Sequence, residues 1–258
     1  MDKTTIILPI SRDDYLTEFL TSIELLDCDQ TKVNILAIVD GDTDLYLKVR
    51  NLLNGSKYAE TLTIQYKVTE PKSNYDILAR RLRIADIHNT AKQHVFNTEF
   101  VMVIEDDTFV PYNAFKRLYE HYIYKDRFAG FVQGIEAGRW GIKYLGSWTV
   151  DNIYEPTKII SSELQDGVKQ VDAGGFYCFM TKSEYYVNHD FKPFDNNGLG
   201  PDVNFGISMR RLGVKNYTDF MIKCVHKNSN GDNIKVDGSQ QILMLKSNNR
   251  WRQSSVTV

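Results

Sequence analysis

The residues best placed to do chemistry are three consecutive acids, Glu105-Asp106-Asp107, which directly follow the apolar run EFVMVI. On an extended backbone Glu105 and Asp107 project to one side and Asp106 to the other. Two carboxylates on one side of a strand end suit a hard cation such as Mg2+ or Mn2+ that also accepts phosphate oxygens. A structural alternative is that Asp107-Thr108 opens a turn and caps the helix after Pro111. His226, in CVHKN, ends the last apolar run and is either a further metal ligand or a satisfied polar residue. The pair Gly174-Gly175 permits either close approach of a ligand to the backbone or a tight turn.

These residues need a scaffold, and the first half of the chain reads as repeated strand and helix units. TTIILPI and VNILAIVDG are almost continuously apolar, as strands covered on both faces by helices are. Pro9 makes the end of the first unsuitable for a central ladder. Residues 62–68 and EFVMVIEDD supply two more strands. Helices follow at Tyr15–Leu26, with apolar residues at helical spacing, at Leu45–Leu53 with Asn54-Gly55 as its stop, and at Tyr75–Gln93. The expected fold class is therefore α/β, a mainly parallel central sheet flanked by helices, with a Rossmann-like N-terminal half. In such sheets ligands lie outside the C-terminal strand ends. Here those ends read Ser11-Arg12-Asp13-Asp14, Asp40-Gly41-Asp42 and Glu105-Asp106-Asp107. Acids converging on one crevice repel unless a cation balances them.

The second half is less regular. A helix is expected from Pro111 to Tyr124, a strand near Phe128–Ile135, a strand-like run VDAGGFYCFM, a short helix DVNFGISMRRLG and a last strand FMIKCVH. Residues 136–170 show poor periodicity, and the segment after about Asn228 is polar. Trp140, Tyr144 and Trp148 are candidates to stack on a sugar or base, or to pack over the sheet edge. With 42% apolar residues and a formal net charge of -2, the chain is globular, with no global charge to draw it to nucleic acid. Three scattered cysteines without a CxxC pair suit a reducing compartment. No signal peptide or membrane span is read, so the expected location is cytoplasmic. GxGxxG, GxxxxGK[ST] and HExxH are all absent, which argues against dinucleotide, P-loop and zincin chemistry.

In order and separation, residues 3–227 resemble the metal-dependent GT-A fold glycosyltransferases built on the family 2 pattern. The matching segments are Pro9-Ile10-Ser11, the strand-end aspartate of IVDG, ILARRLRIAD, EDDTFVP, PDVNFGISMRRLG and His226. The resemblance implies that Pro9 and Ser11 contact the nucleotide, that Asp40 binds the base, and that Arg80 or Arg81 meets the diphosphate. It implies a metal held by Asp107 and His226 with Glu105, and it places Asp202 at the family's general base. Asp195, in KPFDNNG, is a competing base. Donor contacts extend to Glu105, Asp106, Gly174 and Gly175, and to Lys246 and Arg250 if the tail closes over the site together with Trp251 and Arg252. This chain departs from the family in two places: Glu105 stands where an aspartate is usual, and Pro201 stands where an acid often precedes the base.

The implied activity is transfer of a sugar from a nucleotide-diphosphate sugar, UDP-linked, to a hydroxyl of a saccharide or small glycoside, with inversion and with Mn2+ or Mg2+. Residues 1–227 would form one catalytic domain, 1–110 its nucleotide-binding half and 111–227 its acceptor half, with 228–258 a tail able to act as a lid. Three other functions compete: a glycosyltransferase acting on a modified DNA base, a nucleotidyltransferase that makes a nucleotide sugar, and a non-catalytic nucleotide- or glycan-binding module.

Overall fold

The two most apolar runs of the sequence, TTIILPI and VNILAIV, pair side by side as buried parallel strands. The structure is a computed structural model that describes residues 2–66, 77–136, 144–149, 157–160, 167–194, 199–227, 232–236, 242–246 and 250–253. The chain begins with β1 (Thr4–Ile10), α1 (Leu16–Glu24), β2 (Val33–Val39), α2 (Thr43–Leu53), β3 (Glu60–Gln65), α3 (Ile77–Ala91) and β4 (Phe100–Ile104). It continues through β5 (Thr108–Phe109), α4 (Ala114–Tyr124), β6 (Phe131–Ile135), β7 (Tyr144–Thr149), β8 (Thr157–Ile160), β9 (Val168–Val171), β10 (Ala173–Gly174) and β11 (Cys178–Lys182). Last come α5 (Ser183–Asn188), α6 (Pro201–Arg211), β12 (Asn216–Lys223), β13 (Val225–Lys227), β14 (Asn233–Val236), β15 (Ile242–Lys246) and β16 (Arg250–Gln253).

The main sheet has eight strands in the order β3-β2-β1-β4-β11-β6-β12-β9. Its first four strands are parallel, as the repeated strand-helix pattern implies. β11 then runs antiparallel to both β4 and β6, so the sheet as a whole is mixed. Helices α1, α2 and α4 bury Phe19, Val49 and Phe115 on one face with Ile6 and Leu8. On the other face α3, α5 and α6 bury Ala85, Tyr186 and Phe205 with Ile7. This alternation along β1 is the period-two rule of a strand covered on both sides.

Pro9 is compatible with a central strand for a local reason. The β1–β2 ladder runs through Ile10, whereas the pairing with β4 stops at Ile7, before the proline. The irregular stretch 136–170 contains β7, β8 and β9, whose few residues are too short to show periodicity. β7 and β8 form a small sheet with β10. The polar C-terminal stretch also contains strands: β14, β15 and β16 pair in sequence onto β13 and β5 in a five-stranded antiparallel sheet. Among the described residues no helix is long and apolar enough to cross a membrane.

α6 can seat against β10 only because residue 206 is glycine. A Cβ there would come to 2.6 Å from Ala173 Cα and 2.8 Å from Asp172 O, both backbone atoms that cannot swing aside. Alanine gains about 1 kcal/mol of helix propensity over glycine. Overpacking against fixed backbone costs about 1–3 kcal/mol, so the clash outweighs the gain. Gly206→Ala is expected to lower the urea midpoint of unfolding; an unchanged or raised midpoint would show that α6 is not wedged there.

Candidate metal centre

Three buried side chains from separate elements converge where the parallel strands end. β4 stops at Ile104, and the backbone turns, with Thr108 N–H donating to Glu105 O at 3.0 Å. The three acids therefore do not lie on an extended strand, and the alternation expected of them fails. Asp106 does not point away: its Oδ2 accepts from Ser11 N–H at 2.7 Å and Ser11 Oγ at 3.1 Å. The turn also removes Asp107 from any capping role, because α4 begins later, with Asn113 at its N-cap.

Asp107, Glu136 and His226 each offer a ligand atom, and these atoms lie within 4.8 Å of one another. β5 pairs antiparallel with β13, setting His226 opposite Thr108, and Lys227 N–H donates to Asp107 O at 2.8 Å. Glu136 follows the last residue of β6, where Cys224 N–H donates to Ile135 O at 2.9 Å and so draws the β12–β13 crossing alongside. Thr108 Oγ1 donates to Glu136 Oε1 at 2.9 Å, holding that carboxylate toward the histidine.

His226 lies between two carboxylates, its Nδ1 3.0 Å from Glu136 Oε1 and its Nε2 3.4 Å from Asp107 Oδ2. The ring is 4% exposed, yet neither nitrogen has a hydrogen bond of acceptable geometry. Burial alone would lower its pKa, but Glu136 and Asp107 outweigh burial and push it up to about 10. Arg12 supplies the other positive charge, with Nη2 3.2 Å from Asp107 Oδ2 and Nε 3.5 Å from Asp106 Oδ1. Burial raises the Asp106 carboxyl above its ordinary value; Arg12 opposes that shift and Asp107 adds to it. Buried imidazole nitrogens without an aligned hydrogen bond, set beside two buried carboxylates, form a donor set that fits a divalent cation.

The other expected site residues are distributed around this centre. Asp40 follows β2, is buried, and is ion-paired with Arg83 of α3. Arg83 was not singled out in the sequence, where Arg80 and Arg81 were; Arg80 is exposed and Arg81 half-buried. Arg81 instead reaches the start of α6, since a Cβ on Gly200 would meet Arg81 Nη1 at 2.9 Å and Asp202 Oδ1 at 2.3 Å. Asp202 lies in the first turn of α6, directly after Pro201, with Gly200 at the N-cap.

Gly174 and Gly175 leave space that other side chains occupy. A Cβ on Gly174 would overlap Gln133 Oε1, and one on Gly175 would come to 2.5 Å from Tyr177. Lys246 ends β15 and Arg250 opens β16, and the two are paired in the hairpin register. Trp251 and Arg252 belong to the same strand. Tyr144 and Trp148 are in β7, while Trp140 and Asp195 lie outside the described residues.

Glu136 is the member of the triad that the sequence reading passed over. Its signal was nevertheless the same as for Asp40: an acid immediately after a buried strand. Through its contact with Nδ1 it can orient the ring so that Nε2 faces Asp107, and such supporting carboxylates are worth about 10–100-fold in metal affinity. Glu136→Gln is expected to weaken Mn2+ binding by about that factor while Thr108 keeps its hydrogen-bond partner. Calorimetry with Mn2+ checks this, and unchanged affinity would remove Glu136 from the centre.

No protein-family model matches this sequence, and no curated protein matches it. Solved structures do match in shape. One is the mannosyltransferase PcManGT from Pyrobaculum calidifontis in complex with GDP-Man and Mn2+, at 15% identity and TM-score 0.54, with 85% of this chain covering 55% of that one. Another is S. aureus TarS 1-349 in complex with UDP, at 14% identity and TM-score 0.52, with 84% of this chain covering 60% of that one. This chain thus spans less than two thirds of either. At these identities the likeness concerns the fold alone, a mixed α/β sheet flanked by helices, here with a candidate metal triad at its strand ends.

Proposed function

We propose that this chain is a metal-dependent glycosyltransferase of GT-A, family 2-like type, moving a sugar from a UDP-linked donor to a hydroxyl of a saccharide or small glycoside. The observation that carries the reading is the buried triad Asp107, Glu136 and His226 at the C-terminal edge of the parallel strands. That edge is where open α/β sheets bind their ligands. The Mn2+ and GDP-Man of PcManGT and the UDP of TarS, on a related fold, support the choice of donor class.

Asp107 and His226 Nε2 would hold the cation, and Glu136 would fix the ring from Nδ1. A divalent cation bound there would supply stabilisation of charge on the departing diphosphate. Ser11, on the turn that follows β1, would border the nucleotide, as would Pro9 within the strand. Asp40 would accept from the base, its Arg83 partner aiming the carboxylate. Asp202, in the first turn of α6, would take the proton of the attacking acceptor hydroxyl, giving a single displacement with inversion. Arg81, against the same helix start, would hold that turn in place. Asp195 is the alternative base.

Incubating the protein with UDP-glucose, UDP-galactose and GDP-mannose in Mn2+ and following nucleoside diphosphate release tests the reading. Release of UDP that needs Mn2+ and is stimulated by a saccharide supports it, whereas release of GDP alone would replace the UDP-linked donor with a GDP-linked one. Pyrophosphate release from a sugar 1-phosphate and UTP would instead make the chain a nucleotidyltransferase.

A further inference from the structure

Among the described residues, Arg12 is an ion-pair partner of both Asp106 and Asp107. Its Nη2 is 3.2 Å from Asp107 Oδ2, the same oxygen that lies 3.4 Å from His226 Nε2. A cation coordinated by Asp107 and His226 would lie against the same carboxylate, at or beside that oxygen. An arginine and a divalent cation cannot both sit against it without strong mutual repulsion. Arg12 also follows the end of β1, at the rim where a ligand lies in this kind of sheet, and its side chain is 27% exposed while Asp107 is 2% exposed. The guanidinium is therefore free to move toward solvent, and the carboxylate is not. Its second contact, Nε to Asp106 Oδ1 at 3.5 Å, is a long charge contact rather than a short hydrogen bond, so it holds the guanidinium only weakly.

We infer that Arg12 is an exchangeable counter-ion: it neutralises Asp107 before the metal binds, and then turns to the diphosphate of the incoming nucleotide. The inference rests on the metal-site reading and adds a residue and an order of events to it. Phosphate oxygens match the planar guanidinium fork as a carboxylate does, so the released group finds an equivalent partner on the ligand. The consequence is coupling. Metal binding alone is opposed by loss of the Arg12–Asp107 contact, and the nucleotide diphosphate relieves that loss.

The test is to measure Mn2+ affinity and UDP affinity separately by calorimetry in wild-type protein and in Arg12→Gln, Arg12→Met and Arg12→Lys, with thermal unfolding recorded for each. Without nucleotide, Arg12→Gln and Arg12→Met are expected to bind Mn2+ roughly tenfold more tightly, because a charged competitor has gone. At saturating Mn2+ the same variants are expected to bind UDP roughly tenfold more weakly. Arg12→Lys keeps the charge and is expected to stay within about twofold of wild type for the metal. If wild type binds Mn2+ and neither neutral variant binds it more tightly, the exchange is overturned and the metal site stands. Should wild type bind no Mn2+ at all, the metal site falls and the exchange falls with it.

Discussion

Asp107→Asn is expected to lower Mn2+-dependent sugar transfer by about a thousandfold or more, since a bound cation contributes several kcal/mol to stabilising a developing anion. Asparagine keeps the shape and removes the charge, so the backbone contact from Lys227 to Asp107 O survives. Arg12 keeps Asp106 as its other partner. The variant should therefore fold, and its defect should appear in ligand binding: UDP affinity in Mn2+ should fall to the value seen in EDTA. Steady-state nucleotide release, with calorimetry in both buffers, checks both halves. Unaltered turnover with saturating metal would mean that the carboxylate does not hold the cation.

The second large effect is expected at Asp202. A positioned general base contributes about 10²–10⁴-fold, so Asp202→Asn should lower turnover within that range and leave UDP affinity in Mn2+ nearly unchanged. Magnitudes separate this from a purely structural role. A first-turn acid stabilises its helix by about 0.3–1 kcal/mol, which shifts the melting temperature slightly and cannot produce a thousandfold rate loss. If turnover survives while Asp195→Asn abolishes it, the base is Asp195. Survival in both variants would require another route for the proton.

The sheet was legible where burial on both faces leaves a continuous apolar signal. TTIILPI, VNILAIV and FVMVI are β1, β2 and β4, and the acids that follow β2 and β4 mark the ligand edge. The short strands β7 to β9 and β14 to β16 were not legible, because their few residues are specified by pairing partners rather than by periodicity. The orientation of Asp106 was misread for a related reason. Alternation presumes an extended strand, and here the strand ends one residue before the acids.

Asp107 and His226, two members of the candidate metal triad, were legible because each ends or follows an apolar run. Glu136 was missed although it has the same signature, since the irregular stretch after it carries no motif to draw attention. Arg83 was hidden among its neighbours: in ILARRLRIAD only the helix's rotation about its axis decides which arginine faces Asp40.

One titration bears on the whole account: Mn2+ followed by its electron paramagnetic resonance signal as wild-type protein is added, with and without UDP. The free-ion signal is expected to be lost to one site per chain, and UDP is expected to tighten that binding. A signal that stays that of free Mn2+ at every protein concentration, with UDP binding equally well in EDTA, would contradict it.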